Sequence, residues 1–363
     1  MVASNASNAK SIVIFGATGA QGGSVLAHLL KSDQPYRITA VTRDPSKASS
    51  KAIAAKGVNV IKAELGDKAQ VVDALKQGDL AFAVTNFWEH GAEKEIADGK
   101  RLMDAAKEVG TKTLYWSGLM PVSKISSGKY TKVEHFDTKS EILEYGQSIG
   151  VPIVDVQPAM YMENFLGQMG PRKVRPSSCL KALPAKMTAH SVSMHLQQED
   201  GSYVFAFPMD VKSKLSLLHS AADYGAFVRG AIESDIPAGG EVLACADELT
   251  PVQLAEQWGQ GEQQRFPHRQ SAFMGKKTSF YPIDAATFAS MAGEEITEMV
   301  QYFSDFGFFP FTISLNESAL GLSFTLDFGG KDVGPSKKVL PADEKVKTWA
   351  EFVKASDWSK VLS

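Results

Sequence analysis

The fold is decided by the stretch Ser11-Ile12-Val13-Ile14-Phe15-Gly16-Ala17-Thr18-Gly19-Ala20-Gln21-Gly22-Gly23-Ser24-Val25. Its first five residues form an apolar run rich in β-branched side chains, which reads as a buried strand. Its last residues open a helical pattern with Val25, Leu26, Leu29 and Leu30 on one face. Between the two, Gly16, Gly19 and Gly22 punctuate a turn. Glycines at this spacing recur by chance, but a turn that leaves a strand and enters a helix gives each one a task. Gly16 permits the tight turn, Gly19 lets a pyrophosphate approach the backbone, and Gly22 lets strand and helix pack closely. The start of the helix offers free N–H groups to the same anion. Gly16, Thr18, Gly19, Gln21 and Gly22 are therefore the first candidate contacts of a dinucleotide. A purely structural strand–helix turn is the alternative.

Outward from this turn, strand and helix signals alternate to about residue 160. Further strands are expected at 37–41, 58–61, 80–84, 113–116 and 152–156. A helix is expected to open at Asp44-Pro45, and others to cover 68–76, 93–109 and 133–149. Six buried strands separated by helices imply an α/β, doubly wound parallel sheet of the Rossmann type, in the order 3-2-1-4-5-6. Residues 1–10 read as a polar tail and 11–160 as the dinucleotide-binding domain. Residues 161–363 read as a smaller C-terminal α/β lobe that completes the cleft. Helices are expected there at 221–232, 251–258, 294–303 and 346–353, with a loop or insertion at about 171–200.

Composition narrows the function. The 38 basic and 41 acidic residues nearly cancel, and no basic block stands out, so direct nucleic-acid binding is not expected. Cys179 and Cys245 are too few and too far apart for a disulfide framework or a metal-ligand set. No apolar run is long enough for a membrane span, and the first ten residues lack the apolar core of a signal peptide. A cytoplasmic protein is expected, with nuclear entry compatible. Oligomeric state is left open.

Strand ends carry the remaining candidates. Arg43 stands 21 residues after Gly22, where an NAD site usually carries an acid. A guanidinium there suits the 2′-phosphate of NADP, and Lys47 adds charge one turn on. The following Asp44 leaves NAD(H) as a second cofactor, and a solvated Arg–Asp pair is the alternative. Thr85 and Asn86 end the fourth strand, placed to touch a cofactor ribose, with Phe87 and Trp88 walling a pocket. A capping Asn and core aromatics would explain the same residues. Ser117 ends the fifth strand, where its hydroxyl could polarise an oxygen near the nicotinamide, or simply serve a turn. Lys139 lies in a helix and is either a ribose contact or a solvated lysine.

Several blocks together resemble the NmrA-like family, an atypical branch of the short-chain dehydrogenases, and in particular its redox-sensing members. They are residues 16–25, Val41-Thr42-Arg43-Asp44-Pro45, Val84 to Glu89, Tyr115 to Leu119, His135-Phe136-Asp137-Thr138-Lys139, 150–152 and Tyr161 to Phe165. The likeness covers about residues 10–167 well and thins afterwards. It implies a Rossmann domain, a small α/β lobe and NADP(H) in the cleft between them. It makes the glycine turn, Arg43, Lys47, Thr85 and Lys139 cofactor contacts. Glu64, where an adenine-contacting aspartate is usual, completes the set with Pro158, Tyr161 and Asn164. Lys139 matches the lysine of the dehydrogenases' Tyr-x-x-x-Lys pair, but His135 replaces the tyrosine.

Two functions follow. The missing tyrosine favours a redox- or cofactor-sensing regulator that binds NADP(H) and acts through a protein partner. The alternative is an NAD(P)H-dependent oxidoreductase that reduces a small carbonyl or quinone. In that case Ser117, His135 and Lys139 are the catalytic candidates, with histidine, able to carry a proton near neutral pH, as donor. An S-adenosylmethionine enzyme would share the glycine turn but not Arg43.

Overall fold

The alternating pattern folds as a seven-stranded parallel sheet. The computed structural model describes residues 9–173, 202–265, 278–308 and 337–362. Most of the loop expected at 171–200, the start of the tail and Cys179 lie outside the described residues.

The first half contains β1 (Lys10–Ile14), α1 (Ala20–Lys31), β2 (Tyr36–Thr42), α2 (Ala48–Ala54), β3 (Asn59–Lys62), α3 (Lys68–Leu75), β4 (Leu80–Ala83) and α4 (Phe87–Val109). It continues with β5 (Thr113–Trp116), α5 (Val122–Ile125), α6 (Glu134–Ser148) and β6 (Ile153–Pro158). Then come β7 (Met160–Tyr161), β8 (Arg172–Lys173), β9 (Tyr203–Phe207), β10 (Leu215–Leu218), α7 (Ser220–Glu233), β11 (Glu241–Ala244) and β12 (Asp247–Leu249). The remaining elements are α8 (Pro251–Arg265), β13 (Thr278–Pro282), α9 (Ala285–Ala292), α10 (Glu294–Phe306), α11 (Trp349–Ala355) and α12 (Ser359–Leu362).

The sheet runs β3-β2-β1-β4-β5-β6-β11. This is the expected order with one strand added, and that strand comes from beyond residue 160. In register, Val13 lies between Thr39 of β2 and Ala81 of β4. Successive side chains of β1 serve opposite faces, as the strand period requires. Ile12 and Ile14 join Val25, Leu29 and Phe227 in one core, while Val13 and Phe15 join Leu102, Met103 and Ile142 in the other. Burial on both faces explains why β1 reads as a continuous apolar run.

Helix α7 packs so closely on α1 that a Cβ at Gly225 would lie 2.2 Å from the Ser24 carbonyl oxygen. The Gly225 N–H donates to Ser24 Oγ at 2.9 Å. Helix α1, which carries the glycine turn, is thus clamped from behind. Two small sheets, β12-β10-β7 and β13-β9-β8, build the rest with α8 to α12.

Several helix boundaries differ from expectation, α8 running on to Arg265 and α11 spanning Trp349–Ala355, and two of the differences bear on the site. Helix α2 starts at Ala48, because Asp44 Oδ1 accepts from the Ser46 N–H (2.9 Å) and hydroxyl (2.6 Å) and closes a local turn instead. Helix α4 gains a first turn, Phe87 to His90, broken from the rest at Gly91 with φ of 75°.

Candidate functional site

Gly16 has φ of 67°, in the left-handed region where a side chain is strained. A Cβ at Gly22 would lie 2.3 Å from the Gly16 carbonyl oxygen, so no other residue fits without moving backbone. No side chain caps α1, which leaves its first N–H groups open towards the turn. These features make a backbone cradle suited to a pyrophosphate.

The cradle opens into a cleft of about 1170 Å³ at the carboxyl ends of the sheet strands. Gly16, Thr18, Gly19, Gln21 and Gly22 line it, as do Arg43 and Glu64 at the ends of β2 and β3. Thr85, Asn86 and Phe87 line it beyond β4, and Pro158, Tyr161 and Asn164 beyond β6. His135 and Lys139 enter from α6. Ala292, Ile296, Met299 and Phe308 close the far wall with apolar surface.

Two candidates fall outside the lining. Lys47 occupies the N-cap position of α2, displaced by the Asp44 turn, and does not reach the cleft. Ser117 is buried behind Gln21, whose Nε2 donates to its Oγ at 2.9 Å. Its hydroxyl supports the glycine turn from below and is not a wall of the cleft.

Arg43 is ion-paired with Glu89 of the first turn of α4, which also accepts from Asn86 Nδ2 at 3.2 Å. Arg43 holds the Glu89 carboxyl below its ordinary range. Asn86 sits at the N-cap position of α4 but does not cap it.

Lys139 is almost fully buried, and its ammonium has three partners. It donates to the Thr85 carbonyl (3.0 Å), to Thr85 Oγ1 (3.0 Å) and to Glu95 Oε1 (2.9 Å). Thr85 Oγ1 in turn donates to Glu95 Oε1 at 2.6 Å, and Thr138 Oγ1 donates to Glu95 Oε2. Burial pushes the Lys139 ammonium below its ordinary pKa, and the Glu95 charge opposes that fall.

His135 is buried among Phe87, Trp88 and Phe136, with the Trp88 ring centroid 4.9 Å from its own. Its Nδ1 lies 2.6 Å from Glu295 Oε1, which also accepts the His135 backbone N–H at 3.0 Å. Glu295 belongs to α10. Neither Glu95 nor Glu295 carries a local motif. The one signal in the sequence is their place on amphipathic helices, which many surface acids share.

The NmrA-like family model matches residues 8–353. An NmrA-like family domain-containing oxidoreductase of Penicillium ochrochloron, ptmS, is 26% identical over 282 residues, 76% of this chain and 76% of that protein. The structure of NmrA, described as a negative transcriptional regulator and solved with NADP, superposes with a TM-score of 0.65 at 16% identity, covering 96% of this chain and 95% of NmrA. The NADPH-dependent quinone oxidoreductase QOR2 of Escherichia coli, solved with NADPH, gives a TM-score of 0.62 at 22% identity, covering 94% of this chain and 98% of that one. The two structures share the fold at this level of identity, and the family model spans nearly the whole sequence: this chain belongs to the NmrA-like family.

Proposed function

We propose that this protein binds NADP(H), with NAD(H) as the second choice, and reduces an apolar carbonyl or quinone-like acceptor. The observation that carries the proposal is the His135–Glu295 pair, held against the wall of a cleft that begins at the glycine cradle. Bound NADPH would supply a hydride. The backbone of Gly16 to Gly22 would hold the pyrophosphate, Arg43 the 2′-phosphate, and Thr85 the inner ribose, with Lys139 exchanging one of its three Thr85 and Glu95 bonds for a ribose hydroxyl. With the Nδ1 hydrogen given to Glu295, Nε2 is the His135 atom left to exchange a proton with the acceptor oxygen. Glu295 fixes the ring's tautomer and orientation, as a carboxylate does for many catalytic histidines. Phe87, Ile296 and Met299 line the cleft with apolar surface that would exclude water and favour a flat, apolar acceptor. The oxidoreductase description of the Penicillium relative points the same way.

The second reading is a redox-sensing regulator that acts through a protein partner. One observation favours it: histidine replaces the tyrosine of the Tyr-x-x-x-Lys pair at position 135. The test is to mix the purified protein with NADPH and a panel of quinones, aldehydes and ketones, following loss of the reduced-nicotinamide absorbance. Turnover that is lost in His135→Ala supports the reductase. Tight NADPH binding with no turnover on any acceptor supports the regulator.

A further inference from the structure

Lys139 and Glu95 meet at the wall of the cleft. The Glu95 side chain is 0% exposed and that of Lys139 is 11% exposed. An ammonium has three hydrogens to give, and here all three are taken by Thr85 and Glu95. Both carboxylate oxygens are also occupied, one by Lys139 and Thr85, the other by Thr138. The network joins the end of β4, helix α4 and helix α6. The Lys139 ammonium also lies 5.8 Å from the centre of the Trp116 ring, whose Nε1 donates to the Lys139 carbonyl at 3.2 Å.

A buried ion pair is an expensive way to join two helices, because hydrophobic replacements of the same volume often hold a fold as well or better. This one stands at the wall of the cleft, which both residues line, with the cation the more exposed partner. That placement suits a device that keeps a cation available where it would otherwise be lost to burial.

We infer that Glu95 is a positioning residue of the cofactor site, holding the Lys139 ammonium in place at the end of β4. The inference rests on the cofactor reading proposed above only for its use, not for the pairing itself. Without the carboxylate, burial acts on Lys139 unopposed, so the lysine gives up its proton at lower pH. A neutral amine has one donor fewer and no charge to offer the ribose and phosphates nearby.

The test compares the wild-type chain with Glu95→Gln and Thr138→Val. The first readout is the rate at which Lys139 reacts with acetic anhydride across a pH series, read by mass spectrometry of its peptide. Only the neutral amine reacts. Glu95→Gln is expected to move the onset at least one pH unit lower, about a tenfold faster rate at a given pH. Thr138→Val, which keeps the charge and removes one hydrogen bond, is expected to move it less in the same direction. This variant decides the matter if Glu95→Gln does not fold. The second readout is NADPH affinity against pH, which should weaken on the alkaline side in Glu95→Gln and recover in Glu95→Asp. Equal Lys139 labelling in wild type and variants, absence of labelling in all included, overturns the inference. Failure of the wild type to bind NADPH would instead remove the cofactor reading and leave the labelling result to decide the role of Glu95.

Discussion

Nδ1 of His135 lies 2.6 Å from Oε1 of Glu295, although the two residues stand 160 positions apart in the chain. The contact ties helix α6 of the sheet layer to helix α10 on the far wall of the cleft. One carboxylate therefore both joins the two walls and orients the ring. Glu295→Gln should lower kcat about tenfold to hundredfold, within the range that general acid–base catalysis supplies, and leave NADPH affinity nearly unchanged. His135→Ala should lose more. Steady-state kinetics on an accepted substrate check this, and full kcat in Glu295→Gln would refute the role.

Arg43 is ion-paired with Glu89. A 2′-phosphate must compete with that carboxylate. Arg43→Ala should weaken NADP by about 10- to 100-fold and NAD far less, the scale of a charge-assisted hydrogen bond or two. Glu89→Gln should strengthen NADP slightly, up to about fivefold, because an exposed ion pair is worth little. Calorimetry with both dinucleotides decides. Equal losses for NAD and NADP in Arg43→Ala would rule out the phosphate assignment.

Gly22→Ala should both destabilise the protein and abolish dinucleotide binding. Its Cβ would sit 2.3 Å from the Gly16 carbonyl oxygen, and backbone must shift to admit it. A cost of about 1–3 kcal/mol is typical of overpacking, visible as a lower melting temperature. Gly225→Ala makes the same error against Ser24, from 201 residues away. It should disturb α1 and weaken the dinucleotide without touching the cleft. Wild-type melting and binding in Gly225→Ala would show that α1 does not depend on this clamp.

Asp155 gives the stability a pH slope. It is buried on β6, with Oδ2 accepting from Gln157 Nε2 at 2.7 Å and the Gly118 backbone packed against Oδ1. Burial pushes its carboxyl up to about 8, against an ordinary value of 3.8, with the Glu241 charge adding to the rise and the Gln157 bond opposing it. Between these values the folded protein holds a proton that the unfolded chain releases. Its stabilising contribution is complete below about pH 4 and is lost as pH rises through about 8. At about 1.4 kcal/mol per pH unit over this interval, the total is about 6 kcal/mol. Asp155→Asn should flatten this part of the stability–pH curve and raise stability above pH 8. Denaturant melts at a series of pH values measure it, and an unchanged slope would exclude Asp155 as its source.

The sequence by itself determined the first six strands of the sheet. β1 and the glycine turn carry local, repeated signals: β-branched runs for strands, apolar faces for helices and glycine where backbone must approach backbone. The order of the first six strands followed, because right-handed crossovers leave few topologies. The line of cleft residues at strand ends was legible for the same reason, since a parallel sheet sends every such residue to one edge. The tertiary structure decided the rest. It moved Lys47 out of the cleft through the Asp44 turn and put Ser117 behind Gln21. It brought β11 back to the edge of the sheet and set short strands such as β9 into small sheets of their own. Above all it supplied Glu95 to Lys139 and Glu295 to His135. A buried acid that balances a distant cation looks, in sequence, like any other acid on a helix. Its role depends on what lies across the gap, and that distance is fixed by packing.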